Sequence, residues 1–198
     1  MNIYRSRCAR LELGLKGETK KFLVDSKRAI DSFLDDPAVE RFISVLKDAR
    51  QHRKNVFVFG NGGSSATASH FVCDLLKTSI VKGKQRFKAY SLTDNVPVMT
   101  AWSNDVSYND IFAEQLKNFL ETGDVVIAIS GSGNSPNVLR GTEFAKENGA
   151  VTVGLTGNSG KLAGMVDVCI RVPFSNILLI EGAHSVLLHY VTEVLREA

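Results

Sequence analysis

Residues 55–65, NVFVFGNGGSS, decide the fold. Val56, Phe57, Val58 and Phe59, with Asn55 leading, form a short uncharged run rich in β-branched and aromatic side chains, which predicts a buried strand. Gly60-Asn61-Gly62-Gly63 breaks that strand, and Ser64-Ser65 opens a segment of helical character. A strand, a glycine turn and a helix start together offer backbone N–H groups to an anion. The glycines admit a close approach, and the helix N-terminus carries partial positive charge. The stretch is not a dinucleotide fingerprint, because the G-x-G-x-x-G spacing is missing and no acidic residue ends the next strand at Ser91-Leu92. Nor is it a Walker loop, since no Gly-Lys-Ser/Thr follows.

The same architecture recurs at residues 124–136, DVVIAISGSGNSP. Here Val125 to Ile129 is apolar on both faces, as parallel strands covered by helices on both sides are. The loop brings three hydroxyls, Ser130, Ser132 and Ser135, which with backbone amides can hold a phosphate without a metal or an arginine clamp. One glycine-rich turn reads as an ordinary βα connection. Two, at the carboxyl ends of apolar strands, favour ligand binding, because doubly wound sheets bind ligands at that edge.

Outward from these loops the chain alternates. Helical spacing covers residues 18–36 and again 37–52, the second opened by Asp36-Pro37. Strands are predicted at 86–92, 151–155 and 168–172, and helices at 64–78, 96–103, 108–120, 137–148 and 176–196. The pattern predicts an α/β fold, a three-layer α/β/α sandwich on a five-stranded parallel sheet. Residues 1–54 are expected to form an N-terminal helical extension packing on the core and on partner subunits, and residues 55–198 one domain. Residues 1–17 are basic and interrupted by Gly14 and Gly17, and we read them as an irregular lead, a solvated charge run rather than a nucleic-acid arm.

The 198 residues and a net charge of +3 fit a soluble globular chain and do not argue for nucleic acid. Cys8, Cys73 and Cys169 form no CxxC, so a disulfide framework is not expected and a cytoplasmic location is. The N-terminus lacks the apolar core of a signal peptide, and no apolar run is expected to span a membrane.

Titratable side chains cluster in two places. His70 and Asp74 stand at i and i+4 on the helix leaving the first loop, and so share a face. They suit proton transfer or a divalent metal, with a surface ion pair as the alternative. Glu181, His184 and His189 lie on the final helix, where His184 reads as a satisfied, partly buried histidine.

Taken together these residues resemble a family. The G-N-G-G-S loop comes first, then H-F-x-x-[acid]-L, then S-N-D-x-x-[YF]-N-D-I-F at 103–112. I-S-x-S-G-N-S at 129–135, L-T-G-x-x-G-x-L/M-A at 155–163 and a terminal E-x-x-H…H complete the set. They look like the phosphoheptose isomerase branch of the sugar isomerase (SIS) domain proteins, over roughly residues 20–197. The resemblance implies a flavodoxin-like SIS sheet, a homotetramer and isomerisation of sedoheptulose 7-phosphate to D-glycero-D-manno-heptose 7-phosphate through an enediol. It implies that Ser64, Ser130, Ser132 and Ser135 hold the phosphate, with Asn61, Gly62, Gly63, Asn104 and Asp105 around the sugar phosphate. The family's carboxylate base and histidine acid match Asp74 and His189, and its zinc ligands in some members match His70, Asp74, Glu181 and His189.

This sequence departs from the family at three positions. Asp74 replaces glutamate and is one methylene shorter, about 1–1.5 Å of reach where catalytic geometry is sensitive. Glu181 replaces glutamine, adding a second carboxylate that can serve as base or metal ligand, and Leu178 replaces an acidic residue. Glu181 and His189 are eight residues apart, roughly 12 Å along one helix, which strains a shared ion. A non-catalytic sugar-phosphate-binding or partner-recruiting SIS protein is the competing expectation, which an intact acid–base pair disfavours.

Overall fold

The uncharged run at 56–59 lies in β1 (Asn55–Gly60), which is buried along its whole length. The computed structural model describes the backbone of residues 3–197 and the side chains of residues 16–197. It pairs β1 in parallel with β2 (Lys88–Ser91) on one side and β3 (Val125–Ser130) on the other. β4 (Val151–Thr156) and β5 (Val168–Arg171) extend the sheet, giving the order β2-β1-β3-β4-β5. The order reverses between β1 and β3. The two glycine-rich loops therefore leave neighbouring strands at the switch point, where the connections diverge to opposite faces and open a crevice.

The period of two along each strand divides the core into two layers. Val56, Val58, Ile127 and Ile129 face α2 (Pro37–Gln51), α3 (Gly63–Cys73) and α7 (Ile177–Glu197), meeting Phe42, Leu46, Phe71 and Val191. Phe57, Phe59, Val126 and Ala128 face α5 (Ile111–Phe119) and α6 (Pro136–Glu147), with Met99 and Trp102 of α4 (Val96–Asp105) packed alongside. The rings of Phe59 and Phe112 stack at 4.6 Å. Each such buried phenylalanine contributes about 1.5–3 kcal/mol of transfer free energy. Gly141 is required beneath them, since a Cβ there would come within 3.0 Å of Phe59.

Local signals set the helix starts. Asp36 accepts a hydrogen bond from the Ala38 amide at 2.9 Å, ahead of Pro37 in the first turn of α2. Asn95 caps α4 in the same way through the Val98 amide at 3.3 Å.

Three expectations need correction. Of the expected lead at 1–17, residues 1–2 lie outside the described residues, and residues 3–17 are not irregular: α1 (Ile3–Asp31) is continuous through Gly14 and Gly17. Each glycine costs about 1 kcal/mol in a helix interior, which the surrounding Arg, Leu, Glu and Lys residues tolerate. The helix expected to reach residue 36 stops at Asp31, and residues 32–35 form a turn. The helix expected over 64–78 is α-helical only to Cys73 and widens into a π-turn at Asp74–Thr78. α7 is the one helix among the described residues long and apolar enough, by length and composition alone, to cross a membrane. Here its apolar stripe, including Leu187, Leu188, Val191 and Leu195, packs into the sheet's main core cluster.

Candidate active site

The first loop is shaped by glycine. Gly62 precedes α3 with φ 56° and ψ −123°, a conformation side chains disfavour. A Cβ on Gly60 would sit 2.7 Å from both the Ile129 carbonyl oxygen and the Ser64 Cβ. Ser64 is buried at the start of α3, and its amide donates to the Asn61 carbonyl at 3.0 Å.

In the second loop three hydroxyls converge. Ser130 Oγ donates to Ser135 Oγ at 3.3 Å and stands 3.5 Å from Ser132 Oγ. Ser132 Oγ also accepts from the Asn134 amide at 3.2 Å, and Gly133 makes the turn at φ 63°. These bonds are long, so the hydroxyls hold one another weakly and are poised to turn toward an anion's oxygens. The two loops are bolted together by side-chain amides. Asn61 Nδ2 donates to Asn137 Oδ1 at 2.8 Å, and Asn137 Nδ2 donates back to Asn61 Oδ1 at 2.9 Å. Tyr108 adds its hydroxyl to Asn61 Oδ1 at 2.9 Å.

Beyond the cradle, α3 and α7 bring three titratable side chains together. His70 Nε2 and His189 Nε2 are 3.4 Å apart, and Asp74 Oδ2 lies 3.8 Å from the first and 4.0 Å from the second. Asp74 is the sheltered member, its side chain 13% exposed, while both imidazoles are open to solvent. Its other oxygen, Oδ1, accepts from the Thr78 hydroxyl at 2.9 Å across the π-turn. Such local widening of a helix recurs at functional sites, and here it begins at the acid. A tetrahedral site with zinc–nitrogen bonds of ~2.0–2.1 Å has ligand edges of roughly 3.3 Å. The three observed edges approach that value, and no other titratable group shares the cluster among the described residues. The donor set fits a divalent metal held by two imidazoles and one carboxylate, with further positions left for water or substrate.

The remaining expected residues are placed as follows. Glu181 does not join the triad. Its carboxylate lies against Gly63, where a Cβ would overlap it, at the opposite end of α3 from Asp74. The eight-residue separation from His189, roughly 12 Å along α7, explains this. Leu178 is exposed in the first turn of α7. Asn104 donates to Asp105 Oδ1 at 2.8 Å at the exposed end of α4, and among the described residues neither bonds to the loops. His184 is fully buried rather than partly. Its Nε2 lies 3.4 Å from the Thr156 carbonyl oxygen and its Nδ1 has no partner, and desolvation lowers its pKa to about 4. It is a neutral core residue.

Sequence reasoning missed Asn137, Tyr108 and Thr78. Asn137 follows Pro136 directly after the serine loop and Tyr108 is the aromatic position of the motif at 103–112, so both had a signal; Thr78 carries none. It also missed a hydroxyl cluster at the carboxyl end of β2. Ser69 Oγ reaches Ser91 Oγ at 3.2 Å, Thr93 Oγ1 at 3.1 Å and the Asp94 carboxylate.

A five-stranded parallel sheet with paired glycine- and serine-rich loops at its switch point defines a SIS-domain protein, and the SIS domain family matches residues 22–157. The probable phosphoheptose isomerase of Thermoplasma acidophilum is 34% identical over 91% of this chain and 98% of its own. That of Thermoplasma volcanium is 41% identical over 71% of each. The structure of the Neisseria gonorrhoeae phosphoheptose isomerase superposes with a TM-score of 0.84 at 28% identity, covering 93% of this chain and all of that one. The chain belongs to the phosphoheptose isomerase branch of the SIS-domain family and is a sugar-phosphate isomerase.

Proposed function

We propose that this isomerase interconverts sedoheptulose 7-phosphate and D-glycero-D-manno-heptose 7-phosphate. The observation that carries the reading is the separation of two chemistries along one helix. The serine cradle meets the start of α3, and the His70–Asp74–His189 cluster lies about two to three turns further along it. A heptulose 7-phosphate has its phosphate and its reacting carbons at opposite ends of the chain, which matches this layout.

Ser64, Ser130, Ser132 and Ser135 hold the phosphate, with the glycine turn of Gly62 and Gly63 bringing the backbone close. Asn61, fixed by Asn137 and Tyr108, presents its amide to the sugar, and Asn104 and Asp105 meet its hydroxyls. The Asp74 carboxylate takes the proton from C1 of the ketose and returns it to C2. His189 moves the second proton between the two oxygens of the enediol, so the reaction leaves the enzyme's protonation unchanged. Thr78 steadies Asp74 through its free oxygen. Glu181, at the phosphate end of α3, is assigned to positioning rather than proton removal. A divalent metal such as zinc, if held by His70, Asp74 and His189, would supply Lewis-acid polarisation of the carbonyl; the proton transfers above are those of the metal-free cluster.

The same reading carries the oligomer. A hollow of about 650 Å³ lined by Ile30, Phe33, Leu34, Val186 and Tyr190 leaves apolar side chains open between α1, α2 and α7. Leu34 is 79% exposed. We assign this face to contacts within a homotetramer, measurable by sedimentation equilibrium, with a monomer as the contrary result. Soluble phosphorylated sugars place the work in the cytoplasm. The function is tested by supplying sedoheptulose 7-phosphate to the purified protein and separating products chromatographically. An aldoheptose 7-phosphate is expected; turnover of a shorter ketose phosphate alone would overturn the substrate assignment.

A further inference from the structure

At the opposite, amino edge of the sheet lies a cationic hollow. It has a volume of about 500 Å³ and is lined by Lys47, Arg50, Gln51, Lys84 and Gln85. Arg50 forms its floor. The residue is only 6% exposed, yet among the described residues no carboxylate pairs with it, or with Lys47 or Lys84. Its guanidinium rests over the Phe87 ring at 5.3 Å, and Nη1 donates to the Leu195 carbonyl at 2.9 Å. No other protein acceptor takes its remaining donors among the described residues. Burial lowers its pKa through desolvation, but an arginine stays charged.

A sheltered cation without a counter-charge is unfavourable on its own. The cation–π contact and a carbonyl at the end of α7 offset part of that cost. An anion seated between the guanidinium and the two lysines would offset much more, through charge-assisted hydrogen bonds. The rim is chemically suited to the task. Gln85 turns its carbonyl oxygen to Arg53 at 3.4 Å, which leaves its NH2 group to donate. The volume exceeds what a bare phosphate needs and falls in the range of small-ligand sites. Gln85 on the rim meets Arg53, two residues before β1, whereas the first loop leaves β1 at Gly60, about 17 Å away along the strand.

We propose that this hollow is a second anion site, distinct from the serine cradle, that binds a phosphate-bearing metabolite. Arg50 holds the end of α7, the helix that carries His189, so the occupant contacts a group already tied to the active-site scaffold.

The test is phosphate-ligand binding to the full chain by calorimetry, with pyrophosphate as the bare probe and ATP as the nucleotide probe. Wild type and the cradle variant S132A/S135A are compared, each with and without the rim substitutions K47E/K84E. Lys47 and Lys84 are rim residues, so their reversal leaves the buried Arg50 contacts in place; K47M/K84M repeats the test without introducing acid, and circular dichroism checks folding. The expected result is pyrophosphate binding in the cradle variant that the rim substitutions weaken at least tenfold. Tighter binding of ATP than of pyrophosphate in that background assigns a nucleotide; the reverse order assigns a small phosphate. Loss of all binding in the cradle variant, or binding there that K47E/K84E and K47M/K84M leave unchanged, overturns the proposal.

Discussion

The Nε2 atoms of His70 and His189 stand 3.4 Å apart although 119 residues separate them in the chain. The packing of α3 on α7 brings them together, and Asp74 faces both from beneath. Such an approach requires a donor on one ring and an acceptor on the other, or a cation between them.

A cation between them has a measurable consequence. We predict that the metal-stripped protein takes up one zinc per chain, and that His70→Ala and His189→Ala each weaken this at least tenfold, about 1.4 kcal/mol. Glu181→Gln should leave it within a factor of about three, since its carboxylate lies elsewhere. Competition titration against a chromophoric chelator measures all three. Equal losses from Glu181→Gln would place that carboxylate in the metal shell.

The serine cradle predicts a binding defect. Ser132→Ala removes a hydroxyl that converges with Ser130, and a hydrogen bond to a charged partner is worth about 1.5–3 kcal/mol. Affinity for the sugar phosphate should fall roughly tenfold to a hundredfold. Steady-state kinetics should show the loss mainly in KM. A fall in kcat with KM unchanged would move the phosphate elsewhere.

Two glycines of the first loop should respond differently to alanine. In Gly60→Ala the new Cβ meets the Ile129 carbonyl and Ser64, neither of which can yield cheaply, and a cost of about 1–3 kcal/mol is expected. In Gly63→Ala it meets only the tip of the flexible Glu181 side chain. That variant should keep its urea midpoint while turnover falls as Glu181 is displaced. Equal midpoints for the two variants would contradict the packing described.

His184 predicts an acid limb in stability. It is buried and neutral, with its pKa lowered to about 4, whereas an unfolded histidine titrates near ~6.5. The unfolded state therefore binds a proton first as pH falls. Stability should drop between about pH 6.5 and pH 4 and level off below, by at most about 3 kcal/mol from this residue. His184→Gln, compared with wild type by urea unfolding at pH 7 and pH 4.5, should lose less stability on acidification. An identical loss would remove His184 as the source.

Much of this was legible in the sequence where a local pattern carried the physics. The apolar runs at 56–59 and 125–129 became the two central strands, and the glycine turns after them became the loops at the switch point. The i, i+4 spacing of His70 and Asp74 put them on one face. What was not legible depended on contacts between distant segments. The Asn61–Asn137 pair and the Tyr108 bond arise only when the two loops are adjacent. The seating of Glu181 on Gly63 depends on α7 lying against α3, and the π-turn at Asp74 has no signal in the local sequence. The helix through Gly14 and Gly17 was misread because glycine weakens a helix without forbidding it.

The central claim is that Asp74 removes and returns the substrate proton within its cluster with His70 and His189. Incubation with sedoheptulose 7-phosphate in deuterated water, followed by proton NMR, tests it most directly. Wild type should form the aldose phosphate and incorporate solvent deuterium at the carbon that receives the proton, and Asp74→Asn should reduce both by at least a hundredfold while still binding the sugar phosphate. Exchange and product retained in Asp74→Asn but lost in Glu181→Gln would contradict the account and transfer the base to the other helix.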